Sequence, residues 1–149
     1  MKKIMFDTNI FDKLGTFIGD IKNTTNNFEY YVTTIQIEES CEIPDSKIET
    51  RKINILRLAE LRAKMVPISV FVLNGRSRLG YARLGEGVVY KSILKENGSN
   101  ADDAIIADTA VFEGCTLITD DKELYTKMKS QQYDVMSLSE FLNSLRSHK

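Results

Sequence analysis

Acidic side chains recur in this chain at the places where apolar runs give way to helical patterning. Asp7 follows Ile4-Met5-Phe6, and Glu38 and Glu39 lie just beyond Tyr30–Thr33. Asp102 and Asp103 open an alanine-rich run, and Asp120 and Asp121 follow Thr116–Thr119. Carboxylates forced together repel and raise one another's pKa values. A hard divalent cation relieves that repulsion, and Mg²⁺ or Mn²⁺ prefers oxygen ligands. The two cysteines, Cys41 and Cys115, make no metal or redox spacing with each other or with the single histidine, His148. No Ser/His/Asp set competes, because His148 stands one residue from the C-terminal end. The chemistry in reach is that of an oxygen-ligated metal site. Capping or a solvated surface is the plain alternative for each acid taken singly.

Such a site requires elements that carry the acids to one place. Residues 3–6 read as a buried strand, and residues 8–21 as an amphipathic helix with Phe11, Leu14, Ile18 and Ile21 on one stripe. Tyr30–Thr33 has the bias of a second strand, and Thr34 to Glu42 that of a short helix. A long helix over 47–64 follows, with Ile48, Ile55, Leu58 and Leu61 as its apolar face. Val66–Leu73 is a strand candidate, 74–87 a loop with four glycines and three arginines, and 88–97 a helix. Ala101 to Gly114 is a helix and Thr116–Thr119 a strand, after which Asp120-Asp121 opens another short helix. Asp134–Met136 is a last strand, and Ser137-Leu-Ser-Glu140 a capping box for the terminal helix. Strands alternating with helices indicate an α/β domain with a parallel sheet, here as one unit over 1–149. Right-handed crossovers bring the C-terminal ends of such strands to one edge, where ligands bind and where these acids could converge.

Each acidic pair must be split, because neighbouring helical residues point about 100° apart. Asp103 shares a face with Ile106, Ala107 and Ala110, small enough to pack close to a sheet, and is the inward choice. Glu39 stands four residues after Ile35, with Glu38 as the near alternative; pattern decides less between Asp121 and Asp120.

Hydrophobic residues at 42% and charged residues at 28% are ordinary for a soluble globular chain. No apolar run reaches membrane-spanning length, so no membrane association is expected, and both cysteines are expected as buried thiols of a reducing cytoplasm. A net charge of −1 advertises no nucleic-acid partner, which would have to be held by a local patch or by cations. One patch is available. Between Asn74 and Lys95 five basic residues (Arg76, Arg78, Arg83, Lys91 and Lys95) face Glu86 alone, with Tyr81 as a stacking surface for an unpaired base. A solvated loop is the alternative reading.

In this order the motifs resemble the PIN-domain ribonucleases, including the VapC-type toxins of bacterial toxin–antitoxin pairs. The resemblance rests on Phe6-Asp7-Thr8-Asn9 after the first strand and on Thr33-Thr-Ile-Gln-Ile-Glu-Glu39. It continues through Asp103-Ala-Ile-Ile-Ala-Asp-Thr-Ala110 and Leu117-Ile-Thr119-Asp-Asp121-Lys122, and spans residues 1 to about 136. It implies a three-layer α/β/α fold around a mainly parallel sheet of about 4–5 strands. It also implies an acidic quartet of Asp7, Glu39, Asp103 and Asp121, with Asn9 and Thr119 in support. Asp7, Asp103 and Asp121 would hold Mg²⁺ or Mn²⁺ for hydrolysis of RNA, and an antitoxin or a second copy of the chain would be a partner. The long interval between Glu39 and Asp103, which contains Arg76, Arg78 and Arg83, departs from compact toxin members.

Three other readings compete. A haloacid-dehalogenase phosphatase needs a second acid two residues after the first, where this chain has Asn9. A receiver-like signalling domain would want paired acids after the first strand. A PIN-like scaffold that binds RNA or protein without cutting remains the third.

Overall fold

A strand whose successive side chains are all apolar has to be covered on both faces. The computed structural model, which describes residues 1–23, 27–73, 77–94 and 101–146, covers the first strand in this way. β1 (Lys2–Phe6) directs Ile4 and Phe6 into one buried cluster and Met5 into another. Its neighbours are β2 (Phe28–Val32) and β4 (Thr116–Ile118), flanked by β3 (Lys64–Met65) beside β2 and β5 (Val135–Met136) beside β4. Among the described residues the sheet thus runs β3-β2-β1-β4-β5, with every pairing parallel. The chain leaves β1 for one side of the sheet and returns to its other side at β4. The C-terminal ends of β1 and β4 therefore border the topological switch point, the place where open parallel sheets bind ligands.

The helices form the two outer layers. On the Met5 side lie α2 (Thr34–Glu42), α4 (Val88–Leu94), α5 (Ala101–Glu113) and α6 (Lys122–Ser130), which contribute Ile35, Val89, Ile93, Ile105, Ile106, Leu124 and Met128 to the core. On the Phe6 side, Ile10, Phe11 and Leu14, Ile21 of α1 (Ile18–Asn23), Leu61 of α3 (Ile48–Leu61), and Phe141 and Leu145 of α7 (Leu138–Arg146) close the second cluster. Phe6 stacks on Tyr30 at 5.7 Å between ring centroids and meets Phe141 edge-on at 5.4 Å. Such pairs contribute about 0.5–1.5 kcal/mol each beyond their buried area.

Several expectations need correction. The helix read over 8–21 is a 3-10 helix at Thr8–Thr16, followed after a break at Phe17 by the short α1. The long helix ends at Leu61 with Arg62 in the left-handed region (φ 50°), and of its expected apolar face Leu61 is buried, Ile48 and Leu58 are half-buried and Ile55 is exposed. Asn54 and Leu61 are buried, whereas Ile53, Ile55 and Leu56 are exposed. Its N-terminal half borders a polar cleft, onto which Thr50 and Asn54 face. Val66–Leu73 is not a strand: pairing stops at β3, and beyond it only an isolated parallel bridge joins Ile68 to Ala82. This segment is fixed by polar groups instead. The Thr109 hydroxyl accepts from Ser69 N at 3.0 Å, and the Ser69 hydroxyl donates to the Asp108 carboxylate. Gly85 is required where the loop crosses it, since a Cβ there would sit 2.2 Å from the Ser69 carbonyl oxygen. Cys115 is buried as expected, but Cys41 is exposed. Ser137 and Glu140 form the expected reciprocal cap on α7, with Ser137 N donating to Glu140 Oε2 at 2.7 Å and Glu140 N to the Ser137 hydroxyl at 3.2 Å. No helix among the described residues is long and apolar enough to cross a membrane.

Candidate active site

Asp7 leaves β1 at the switch point with only 1% of its surface exposed. Burial raises its pKa, and hydrogen bonds from Thr119, Thr8 and Asn9 work against that rise. Thr119 Oγ1 donates to Asp7 Oδ2 at 2.7 Å, Asn9 Nδ2 to the same oxygen at 2.9 Å, and Thr8 N to Oδ1 at 2.8 Å. Asp7 also caps the 3-10 helix, so the capping alternative and the site reading describe the same carboxylate. The end of β1 is itself clamped. Buried Gln36 donates from Nε2 to the Phe6 carbonyl at 2.7 Å, while its Oε1 accepts from Thr33 N and Thr33 Oγ1 at 2.6 and 2.7 Å.

The other acids reach the same edge from three helices. On α2 the Thr8 hydroxyl donates to Glu39 Oε2, tying that carboxylate to the turn that carries Asp7. Its neighbour Glu38 turns away and pairs with Arg78 at 3.0 Å. Asp103, in the first turn of α5, is half-buried. Burial is the largest reason that its pKa rises to about 7, followed by the charges of Asp7, Glu39, Asp121 and Asp102. After β4, Asp121 caps α6 by accepting from Glu123 N and Leu124 N at 2.8 and 2.9 Å, and its own N donates to Thr119 Oγ1 at 3.0 Å. Asp121 in turn raises the pKa of Asp7, so the two lie within electrostatic reach. Asp120 faces outward, held by Lys13 at 2.9 Å and accepting from Leu138 N at 3.1 Å. The geometry therefore places Asp7, Glu39 and Asp103 on one cleft with Asp121 within electrostatic reach of it, while Arg78 engages Glu38 and Lys13 engages Asp120.

A cleft of about 580 Å³ opens over this edge, lined by Asp7, Thr8, Asn9, Glu39 and Asp103 on one side and by Thr50 and Asn54 of α3, with Asp12, Lys13 and Ile43 completing it. A neighbouring groove of about 760 Å³ starts at Thr119 and Asp121 and reaches Ser137 and Glu140. Carboxylates with hydroxyl neighbours form an oxygen donor set of the kind that suits a hard divalent cation. Among the described residues no three acids, histidines or cysteines already stand close enough to enclose an ion.

The basic loop is divided. Arg78 reaches Glu38, beside the cleft, whereas Arg83 pairs with Glu113 and covers Phe112 at 4.8 Å, at the opposite end of α5 from Asp103. Arg76 lies outside the described residues. Thr8 and Gln36 had sequence signals that pattern reading left unused: the middle of Asp7-Thr8-Asn9 and the Thr33-x-x-Gln36 capping box. Asn54 had none, because its burial appears only once α3 is docked.

No protein-family model matches the chain, and no curated protein matches it by sequence. Solved structures do match in shape. PAE2754 from Pyrobaculum aerophilum aligns with a TM-score of 0.63 at 14% identity, over 98% of this chain and 96% of that one. A chain of VapBC2 from Rickettsia felis, solved bound to a DNA fragment from its promoter, aligns with a TM-score of 0.56 at 14% identity, over 91% of this chain and 98% of that one. With its parallel sheet and the order of its motifs, the chain has a PIN-domain fold of the VapC type.

Proposed function

We propose that this protein is a metal-dependent endoribonuclease acting as the toxin of a toxin–antitoxin pair. The observation that carries the reading is the gathering of Asp7, Glu39, Asp103 and Asp121 at the switch point, with Asp103 held protonated up to about pH 7 by burial and by the other acids. Leaving four carboxylates in mutual repulsion destabilises a fold unless a cation is the intended occupant. Asp7, Asp103 and Asp121 would hold Mg²⁺ or Mn²⁺, with Glu39 assisting. A bound divalent ion supplies a nucleophilic water at neutral pH and neutralises charge on the scissile phosphate. Thr119, Asn9 and Thr8 fix the oxygens of Asp7, and the Thr8 hydroxyl fixes Glu39, so the donor set is oriented before any ligand arrives. Arg78 is the described cation of the loop best placed to offset the repulsion between an acidic cleft and a nucleic-acid backbone. The antitoxin partner is proposed from the likeness to the VapBC2 chain.

A second reading, a scaffold that binds RNA or protein without cutting, is favoured by the lack of a closed three-ligand cluster among the described residues. One experiment separates the two. Labelled single-stranded RNA is incubated with wild type and Asp7→Asn, with Mn²⁺ or Mg²⁺ and with chelator, beside a small phosphomonoester as control. Cleavage of RNA alone, abolished by chelator and lowered at least about 100-fold by the substitution, supports the nuclease. RNA binding without cleavage supports the scaffold, and activity surviving both chelator and substitution refutes the metal mechanism.

A further inference from the structure

Asn54 is a buried polar residue whose side-chain oxygen finds no hydrogen-bond partner among the described residues. It sits on the inner face of α3 with 4% of its surface exposed, and it lines the acidic cleft together with Thr50 one turn earlier. Its Oδ1 is buried and accepts nothing from the described residues. A buried amide in this condition is costly, and native proteins rarely keep one unless something else completes it. Leucine, close to asparagine in size, would fill the position without that penalty.

The chemistry of the cleft narrows what completes it. An amide oxygen only accepts, so its complement must donate. Ionised acids around it only accept, the Lys13 ammonium is held by Asp120, and a phosphodiester oxygen only accepts. A deoxyribose offers nothing at its 2′ carbon, whereas the ribose 2′-hydroxyl donates and accepts and is the group by which proteins distinguish RNA from DNA. We infer that Asn54 is a specificity-determining residue that reads the ribose 2′-hydroxyl of a strand held in the cleft. This rests on the nuclease reading for the position of the strand and adds to it the identity of the sugar. Asn54 touches the sugar and holds no cation, so its loss alters the choice of polymer and leaves the acid set in place.

The test is equilibrium binding, in Ca²⁺, of a fluorescent single-stranded RNA and of the same sequence as DNA, to wild type, Asn54→Leu and Asn54→Ala. Wild type is expected to bind the RNA about tenfold more tightly, the equivalent of one well-made hydrogen bond. Both variants should bring that ratio to within about twofold, with DNA affinity unchanged and with the melting temperature of Asn54→Leu at or above that of wild type. Should Asn54→Leu fail to melt cooperatively, Asn54→Ala decides alone. An equal ratio in all proteins, no preference or no binding by wild type, or an equal loss for both polymers (a base-edge contact) overturns the inference. The nuclease reading is judged separately, by whether wild type cuts either polymer with Mn²⁺, so the two can fail independently.

Discussion

Replacing Asp103 by asparagine removes one charge from the acid set and keeps the size of the side chain. In the folded protein this carboxyl stays protonated up to about pH 7, through burial and then the charges of Asp7, Glu39 and Asp121, while in an unfolded chain it ionises near pH 4. Between those values the native state binds the extra proton, so wild-type stability is fullest at the acid end of this window. It falls as pH rises through the window and levels off above about pH 7. Fully expressed, the difference corresponds to ~4 kcal/mol. Part of Asp103 remains in solvent, which screens the repulsion, so about 2 kcal/mol is the working figure. For a chain of this length that is about 4–8 °C in melting temperature. The assay is thermal or denaturant unfolding of wild type and Asp103→Asn in chelator, from pH 4 to pH 8. The variant should be the more stable at pH 8, with the difference closing toward pH 4. Adding Mn²⁺ should raise the wild-type midpoint more at pH 8 than at pH 5.5, where protons compete for the same oxygens, and raise the variant less. A variant no more stable than wild type at pH 8, or a difference independent of pH, would refute the repulsion on which the site reading stands.

Two further substitutions test the scaffold behind the acids. Gly85→Ala would drive a Cβ to 2.2 Å from the Ser69 carbonyl oxygen and should cost about 1–3 kcal/mol in denaturant unfolding; a neutral effect would mean that the loop does not cross Ser69 so closely. Gln36→Leu strands the Phe6 carbonyl and Thr33 N, so a loss of about 3 kcal/mol is expected, together with impaired RNA cleavage because the end of β1 aims Asp7. Full activity at unchanged stability would show that the clamp does not position the site.

The elements that proved legible are those whose signal is local. The Ile4-Met5-Phe6 run, the Ser137/Glu140 cap, the alanine-rich helix ended by Gly114 (φ 68°) and the alternation of strand and helix follow from periodicity and turn chemistry, which act over a few residues. Local pattern prefers Asp103 to Asp102, yet both are half-buried in the first turn of α5, and the next seven residues of that helix are all buried. Val66–Leu73 misled because its middle, Ile68 to Val70, is buried with no more than a single bridge to Ala82: Ser69, Asp108, Thr109 and Gly85 fix it across distances that no window along the chain spans.

From its sequence alone, this protein has its acid types, their order and their places at strand ends, because side-chain identity and strand period are properties of the chain itself. Only the tertiary structure shows Asp120 held by Lys13 and Glu38 by Arg78, the neighbours of Asp121 and Glu39. It also set the inner face of α3, where Asn54 is buried and Ile55 exposed. A helix takes its phase from what it packs against, and here the neighbour is partly a polar cleft assembled from residues as far apart in the chain as Asp7 and Asp103.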